Sequence, residues 1–548
     1  MQNEFLNEFT PAESIRQVSQ YFHIIETSVS VGDTNRKYTP SKNTASPGGE
    51  QKEKQYLTFN ISPVGENMCD LYNSFIGAEM NVKIKLKETI TALPDLLKAL
   101  CNAPDAWAGF DDSPYSVEAY QVYANGRQIY SQDNAHEEFF ITACGATETI
   151  KTVDIFSKAR HKDIWKRADT VKSGALIEMN GINANTVIEF KVPIKIDLRR
   201  FLVLDSIRFL PAFAGNIQLK IKFSSEALQI TPLSIEDLCA FNKFNIAKLT
   251  NYPSITNKFV PFENEFTMIT KVDCTTSNGH SSTTSGEGGT VTDTTVSGDP
   301  ISTITLTTET QQFSKTSCTI SNAYSYLNCF SLDANVYSEL VEHYSQTALM
   351  FPIKRMDFLT MEGSLNCADD KKSVFTAAYT PIYVNSIYVL FKKEANYFCN
   401  YENPLFKGFQ LNCGAYGNIP AEPESTYGPI FYETCANAMN TNNDLMGFNT
   451  DVMRSLTATS IEDVGVRSND TTHFFIGLPT ETDFTFQQGM TSNSPISFKL
   501  TTTSSAGTVG FNEKPQIGFL RHVCLSMQAN PNGPPEVRID DYDLSAPE

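Results

Sequence analysis

Residues 217–223, Ile-Gln-Leu-Lys-Ile-Lys-Phe, alternate apolar and polar side chains throughout. An extended chain turns successive side chains to opposite faces, so Ile217, Leu219, Ile221 and Phe223 share one face and Gln218, Lys220 and Lys222 the other. That is the pattern of a half-buried strand. The run closes a longer unit, 187–223, which opens on an apolar strand with Phe190-Lys-Val-Pro193 and passes through Leu202, Leu204, Leu210 and Gly215. The same order returns near the C-terminus: His473-Phe-Phe-Ile-Gly-Leu-Pro479, then Gly489, then Ile496-Ser-Phe498-Lys-Leu500. The repetition predicts two copies of one β-domain.

The 548 residues exceed what one hydrophobic core organises. Charged residues make up 19% and aromatics 11%, with 37 Phe and 22 Tyr, and long helical heptads are absent, so the chain is expected to be all-β. A net charge of −19 argues against a positive field for nucleic acid and predicts that copies repel unless interfaces offset it. The twelve cysteines contain no C-x-x-C pair and read as buried thiols. Residues 1–17 lack a basic n-region and an apolar h-region, so no secretory signal is expected. No apolar run approaches a membrane span.

Along the chain, residues 1–55 read as an N-terminal arm and loop. Thr10-Pro11-Ala12-Glu13 is a capping box, with Ile15, Val18 and Phe22 on one side of the helix behind it. A first domain is expected over 56–250 and a second over 251–528. Asn125-Gly126 lies between two strand-like runs, a strong hairpin signal. Residues 151–170 read as helical, inside a basic island at 151–200 with eleven Lys/Arg against six Asp/Glu. Residues 275–308 hold eighteen Ser or Thr and five Gly among 34, and cannot form a core. They are expected to be a surface insertion, with a hairpin in the half where Ile304 and Leu306 alternate. Short loop helices are expected at 336–344 and 430–439. The tail, 529–548, is acidic and proline-rich and is expected to lie extended along a surface.

Catalytic signatures do not emerge. His136-Glu137-Glu138 begins like a zinc-protease helix, but position 140 is Phe. No nucleophile elbow, phosphate loop or dinucleotide fingerprint is present, and the seven histidines show no ligand spacing. No catalytic, cofactor-binding or metal residue is assigned, and no enzyme activity is expected. Two rival readings are a tandem jelly-roll carbohydrate-binding protein and a β-sandwich enzyme acting on glycosides. The first expects aromatic platforms, and Trp107 and Trp165 are the only tryptophans. The second expects paired carboxylates in a cleft.

The segment Pro381–Pro420 carries an apolar strand, an Asn403-Pro404 turn, Phe409-Gln-Leu411 and Ile419-Pro420. With Phe351-Pro-Ile-Lys-Arg355, Phe431–Asn443, Phe475–Leu500, Val122-Tyr-Ala-Asn-Gly126 and Phe190–Phe223, it resembles the double jelly-roll major capsid proteins of the virophage, Polinton and polinton-like virus group, relatives in architecture of the adenovirus hexon. The resemblance covers roughly 56–525. The Ser/Thr-rich insertion is not part of it.

The resemblance implies two tandem eight-stranded jelly-roll sandwiches, with short loop helices. It implies a virion protein that forms pseudo-hexagonal homotrimers and then contacts neighbouring capsomers in the icosahedral shell of a double-stranded DNA virus or virus-like element. Penton or minor capsid proteins are the further partners; a membrane and sequence-specific nucleic-acid binding are not expected. At −19 per subunit, such a coat needs separate basic proteins or a packaging motor to condense DNA. Inter-subunit contacts are expected from the arm, at Phe5, Phe9, Ile15 and Val18, and from the tail, at Val537, Ile539 and Tyr542.

Overall fold

The computed structural model describes residues 39–63, 68–86, 107–110, 112–145, 160–162, 187–205, 207–230, 260–261, 265–276, 281–284, 301–332, 334–364, 371–380, 383–392, 401, 406–414, 417–424, 435, 438, 474–480, 490, 494–502, 514–530 and 535–540. Nineteen strands are numbered here. In the N-terminal part they are β1 (Thr39–Thr44), β2 (Tyr56–Asn60), β3 (Met68–Leu86), β4 (Val117–Ala124), β5 (Arg127–Gln132), β6 (Ile188–Asp197), β7 (Ile217–Phe223), β8 (Glu265–Thr276), β9 (Ser281–Thr284) and β10 (Ile301–Phe330). The C-terminal part holds β11 (Leu349–Thr360), β12 (Lys372–Ala377), β13 (Ser386–Leu390), β14 (Phe406–Asn412), β15 (Asn418–Glu424), β16 (Phe475–Pro479), β17 (Ile496–Thr502), β18 (Gln516–Gln528) and β19 (Glu536–Asp540). Helices α1 (Ala135–Gly145), α2 (Leu202–Asp205) and α3 (Ala334–Gln346) lie in the connections.

The strands form two sandwiches with one wiring. In the first, one sheet runs β1-β10-β3-β6 and the other β2-β7-β4-β5. In the second, the orders are β11-β18-β13-β16 and β12-β17-β14-β15. Counted within each sandwich, both read first-eighth-third-sixth and second-seventh-fourth-fifth, every pair antiparallel. This is the jelly-roll winding, present twice. The all-β, double jelly-roll class read from the sequence is the class found.

β7 shows how the pattern becomes a sheet. Ile217, Leu219, Ile221 and Phe223 are at most 1% exposed, facing the opposite sheet. On the outer face Lys220 lies 4.1 Å from the Tyr123 ring centroid and Lys222 pairs with Glu118 at 2.5 Å. β17 repeats the device with Ile496, Phe498 and Leu500, each fully buried. Burying a side chain of this kind contributes roughly 1.5–3 kcal/mol. Asn125 and Gly126 both take positive φ, 50° and 80°, as a two-residue hairpin requires, and they join β4 to β5.

Strand membership crosses the divisions expected from the sequence. β1 lies in the stretch read as arm and loop, and β10 lies beyond residue 250, yet both belong to the first sandwich. β10 is 30 residues long: its C-terminal part, from Phe313, pairs with β3, and its N-terminal part pairs with β8. The hairpin expected around Ile304 and Leu306 therefore takes its partner from before the insertion, with Cys274 opposite Ile304 and Val272 opposite Leu306. β9, inside the Ser/Thr-rich stretch, adds to the free side of β8.

The helix expected over 151–170 is not the conformation of Arg160–Lys162, a strand paired with Trp107–Gly109. The loop helix at 336–344 is present as α3, and Cys435 and Ala438 are helical within the one expected at 430–439.

Candidate functional surfaces at the seam between the rolls

Because every pairing is antiparallel, alternate connections leave from opposite ends of each roll. In the first roll, 87–116, 133–187 and 224–312 leave from one end, and 61–67, 125–126 and 198–216 from the other. In the second, 391–405, 425–474 and 503–515 correspond to the former, and 378–385, 413–417 and 480–495 to the latter. The linker carrying α3 starts from the short-connection end, where β10 finishes and β11 begins. In the first roll the three longest of these connections share one end, and in the second the longest, 425–474, leaves from the corresponding end.

The rolls meet along β11, the outer strand of its sheet. An uncovered edge strand is a template for foreign pairing. At Met356 this edge is capped by side chains of the first roll. Gln132 Nε2 donates to the Met356 carbonyl at 2.8 Å, and Tyr130 Oη lies 3.2 Å from both the Met356 carbonyl and its amide nitrogen. Both side chains also reach Glu138 on α1: Tyr130 Oη and Gln132 Nε2 donate to Glu138 Oε2 at 2.7 and 2.8 Å, and the Tyr120 hydroxyl donates to Oε1. Glu138 is fully buried. Burial pushes its carboxyl above the usual range, against the lowering effect of its three side-chain donors. The Tyr120 and Tyr130 phenols are pushed well up, first by burial and then by the adjacent Glu138 charge.

Around this centre the seam is both ionic and aromatic. Lys354, 5% exposed, pairs with Asp205 of α2 at 2.9 Å. Arg355 stands opposite Arg521 across β11 and β18, a like-charge pairing that costs stability. It is offset by an Arg521–Asp357 ion pair and by the Arg355 guanidinium 5.7 Å from the Tyr130 ring. The Phe140 and Tyr401 rings lie 4.4 Å apart, and Phe213 stacks on Tyr344 of α3 at 5.5 Å.

The tail closes the same seam. β19 pairs with the C-terminal end of β18, Val537 opposite Met527 and Ile539 opposite Leu525. Arg127 Nη1 donates to the Val537 carbonyl at 2.9 Å, and Asn125 Nδ2 to the Pro535 carbonyl at 3.2 Å. Val537 is 7% exposed and Ile539 packs against the core. Two residues singled out for contact between subunits thus lie inside their own chain, strapping one roll to the other. Phe5, Phe9, Ile15, Val18 and Tyr542 fall outside the described residues. The seam residues Tyr130, Gln132 and Glu138 escaped the sequence reading. Its one visible signal was His136-Glu137-Glu138, acidic residues on an otherwise apolar helix.

Among the described residues no group of three or more His, Cys, Asp or Glu is placed to hold a metal ion, and no helix is long and apolar enough to cross a membrane. His136 is buried, with Nε2 3.1 Å from the Tyr115 carbonyl, and burial pushes its pKa down.

No family model matches the chain, and no curated protein matches it. Among solved structures it is similar to the mavirus major capsid protein, at 10% identity and a TM-score of 0.46, covering 93% of this chain and 92% of that one. It is similar to a chain of the Sputnik virophage structure, at 9% identity and 0.46, covering 94% and 90%. The Faustovirus major capsid protein follows at 9% and 0.40, covering 97% and 99%.

Proposed function

We propose that this chain is the major capsid protein of a double-stranded DNA virus or virus-like element. Its capsomer is a homotrimer whose six rolls give a hexagonal outline. The observation that carries the reading is the doubled winding: one chain folds two rolls of identical strand order, joined through side-chain bonds to the edge strand at Met356. Three two-roll blocks joined head to tail around a threefold axis close into a ring of six rolls. The longest connections of both rolls, 224–312 and 425–474, leave from corresponding ends, which suits an outer surface there. The sequence resemblance to double jelly-roll capsid proteins points the same way.

On this reading the work is self-association, its location is the virion, and its partners are further copies, neighbouring capsomers and penton or minor capsid proteins. We divide the rolls at the α3 linker, 331–348. The arm residues Phe5, Phe9, Ile15 and Val18 are proposed as inter-subunit ties, together with Tyr542. Val537 and Ile539 act through the strap that holds the tail in place.

Light-scattering mass with negative-stain images of the same peak tests the proposal. Particles of three times 60.9 kDa with a hexagonal outline are expected. A monodisperse monomer at micromolar concentration and moderate salt would overturn it. Deleting residues 1–20 should leave folded monomers that trimerise or assemble poorly, and normal assembly of that variant would remove the arm from the mechanism.

A further inference from the structure

Cys69 stands directly opposite Cys329 in the antiparallel ladder between β3 and β10. Residues so opposed have Cα atoms about 4.5–5.5 Å apart, depending on the hydrogen-bonding phase. A disulfide spans Cα separations of roughly 4.4–6.8 Å, so the ladder already supplies the geometry. Both side chains are fully buried, and the structure holds them as thiols. The adjacent sulfur of Cys329, and then burial, push the Cys69 thiol well up, so it is held protonated in the closed fold, with its sulfur 3.9 Å from Ser74 Oγ. Among the described residues no other cysteine stands opposite a cysteine in a ladder: Cys274 faces Ser282 and Ile304, and Cys524 faces Pro352 and Asp540. Cys318 faces Val82 and Asn81 to Lys83 flank it, Cys413 lies in the β14–β15 turn, and the Cys435 sulfur accepts the Gly477 amide at 3.3 Å.

We propose that Cys69 and Cys329 form a redox site that closes to a cross-strand disulfide when the protein meets a small-molecule disulfide such as oxidised glutathione. One cysteine thiolate attacks a glutathione sulfur, breaking that S–S bond; the leaving glutathione thiolate takes up the proton released. The second cysteine then displaces the bound glutathione, forming the protein disulfide and a second glutathione thiol. The two protein sulfurs are oxidised and the two glutathione sulfurs reduced. Cys69 is the second residue of β3 and Cys329 the last but one of β10, and Leu210 and Thr39 flank the pair on its outer edges, so the reagent reaches it only when these strand ends open locally.

The bond would enclose residues 69–329, which hold most of the first roll and none of the second. Its stabilisation, arising from a restricted unfolded chain, therefore falls on the first roll. The proposal stands whether or not the coat reading holds.

The test uses full-length protein prepared under reducing conditions, incubated with oxidised glutathione, alkylated and digested without reduction. The expected result is one linked peptide pair joining Cys69 to Cys329, abolished by reductant. Thermal unfolding should shift up by a few degrees in the oxidised sample, and Cys329→Ala should lose that shift. Full alkylation of both thiols after denaturation, linkage of either one to a different cysteine, or an undiminished shift in Cys329→Ala would each overturn the proposal.

Discussion

The two rolls share one winding and differ in how freely they depart from it. In the second roll the connection before the last strand is 503–515; in the first it is 224–312, and the final strand continues into the ribbon formed with β8. The sandwich tolerates this because the cost of closing a loop rises only with the logarithm of its length, about 0.6 kcal/mol per doubling. What cannot vary is the inward face. Leu219 and Phe498 sit at corresponding places in β7 and β17, and both are fully buried. Winding order and core are shared, and excursions are where the rolls have diverged.

That comparison can be broken most forcefully at the seam. Glu138→Ala removes the acceptor of three buried donors, and should destabilise by about 3–5 kcal/mol, measured by denaturant unfolding. Uncoupling the rolls should also split a single calorimetric transition into two. A single transition of undiminished midpoint would show that the rolls do not depend on this network.

A second comparison sets Gly215 against Gly417, both at positive φ in connections at the same end of their rolls, 88° and 78°. A Cβ on Gly215 would lie 2.1 Å from Asn125 Oδ1, while one on Gly417 meets nothing within 4 Å. Backbone strain alone costs of order 1–3 kcal/mol. Gly215→Ala should therefore lose clearly more than Gly417→Ala in chemical denaturation. Equal losses would mean that Asn125 moves aside freely.

Removing 535–548 takes away β19 and the bonds from Asn125 and Arg127, and is expected to cost about 1–3 kcal/mol. The loss should be smaller in a chain already carrying Glu138→Ala, because both changes act on one seam. Cutting back the ribbon, by joining Glu265 to Gln312 (partners in the β8–β10 ladder) through a short turn, should change stability by less than about 1 kcal/mol.

The smallest effect is one of pH. Glu138 has a folded pKa above its ordinary value, so its contribution is full below the unfolded pKa of about 4.5 and is lost as pH rises through the folded value. Glu138→Gln should thus gain on the native protein as pH rises across that window, read as a difference in melting temperature. A constant difference would mean that the carboxyl does not titrate on folding.

The legible part of this architecture was local. Alternation at Ile217–Phe223 named the buried face, the Asn125-Gly126 pair named the hairpin, and the restatement at 473–500 announced the second roll. The illegible part was partnership. Nothing in Phe313–Phe330 says that it returns to β3 rather than pairing with the strands that follow it, and the division expected at 250 failed to include it. Tyr130 and Gln132 read as ordinary strand residues until β11 lies beside them. Val537 and Ile539 read as a free tail until β18 offers its edge.

By itself, the sequence determined the all-β class, the doubled unit, the inward faces and the tight turn, since each depends on side-chain period or on φ preferences within a few residues. The tertiary structure alone decided which strands became neighbours, how the first roll closes across 224–312, and which polar groups seal the seam. Those choices depend on burial and hydrogen bonding between residues far apart in sequence, whose cost in chain entropy is nearly indifferent to how far apart they are.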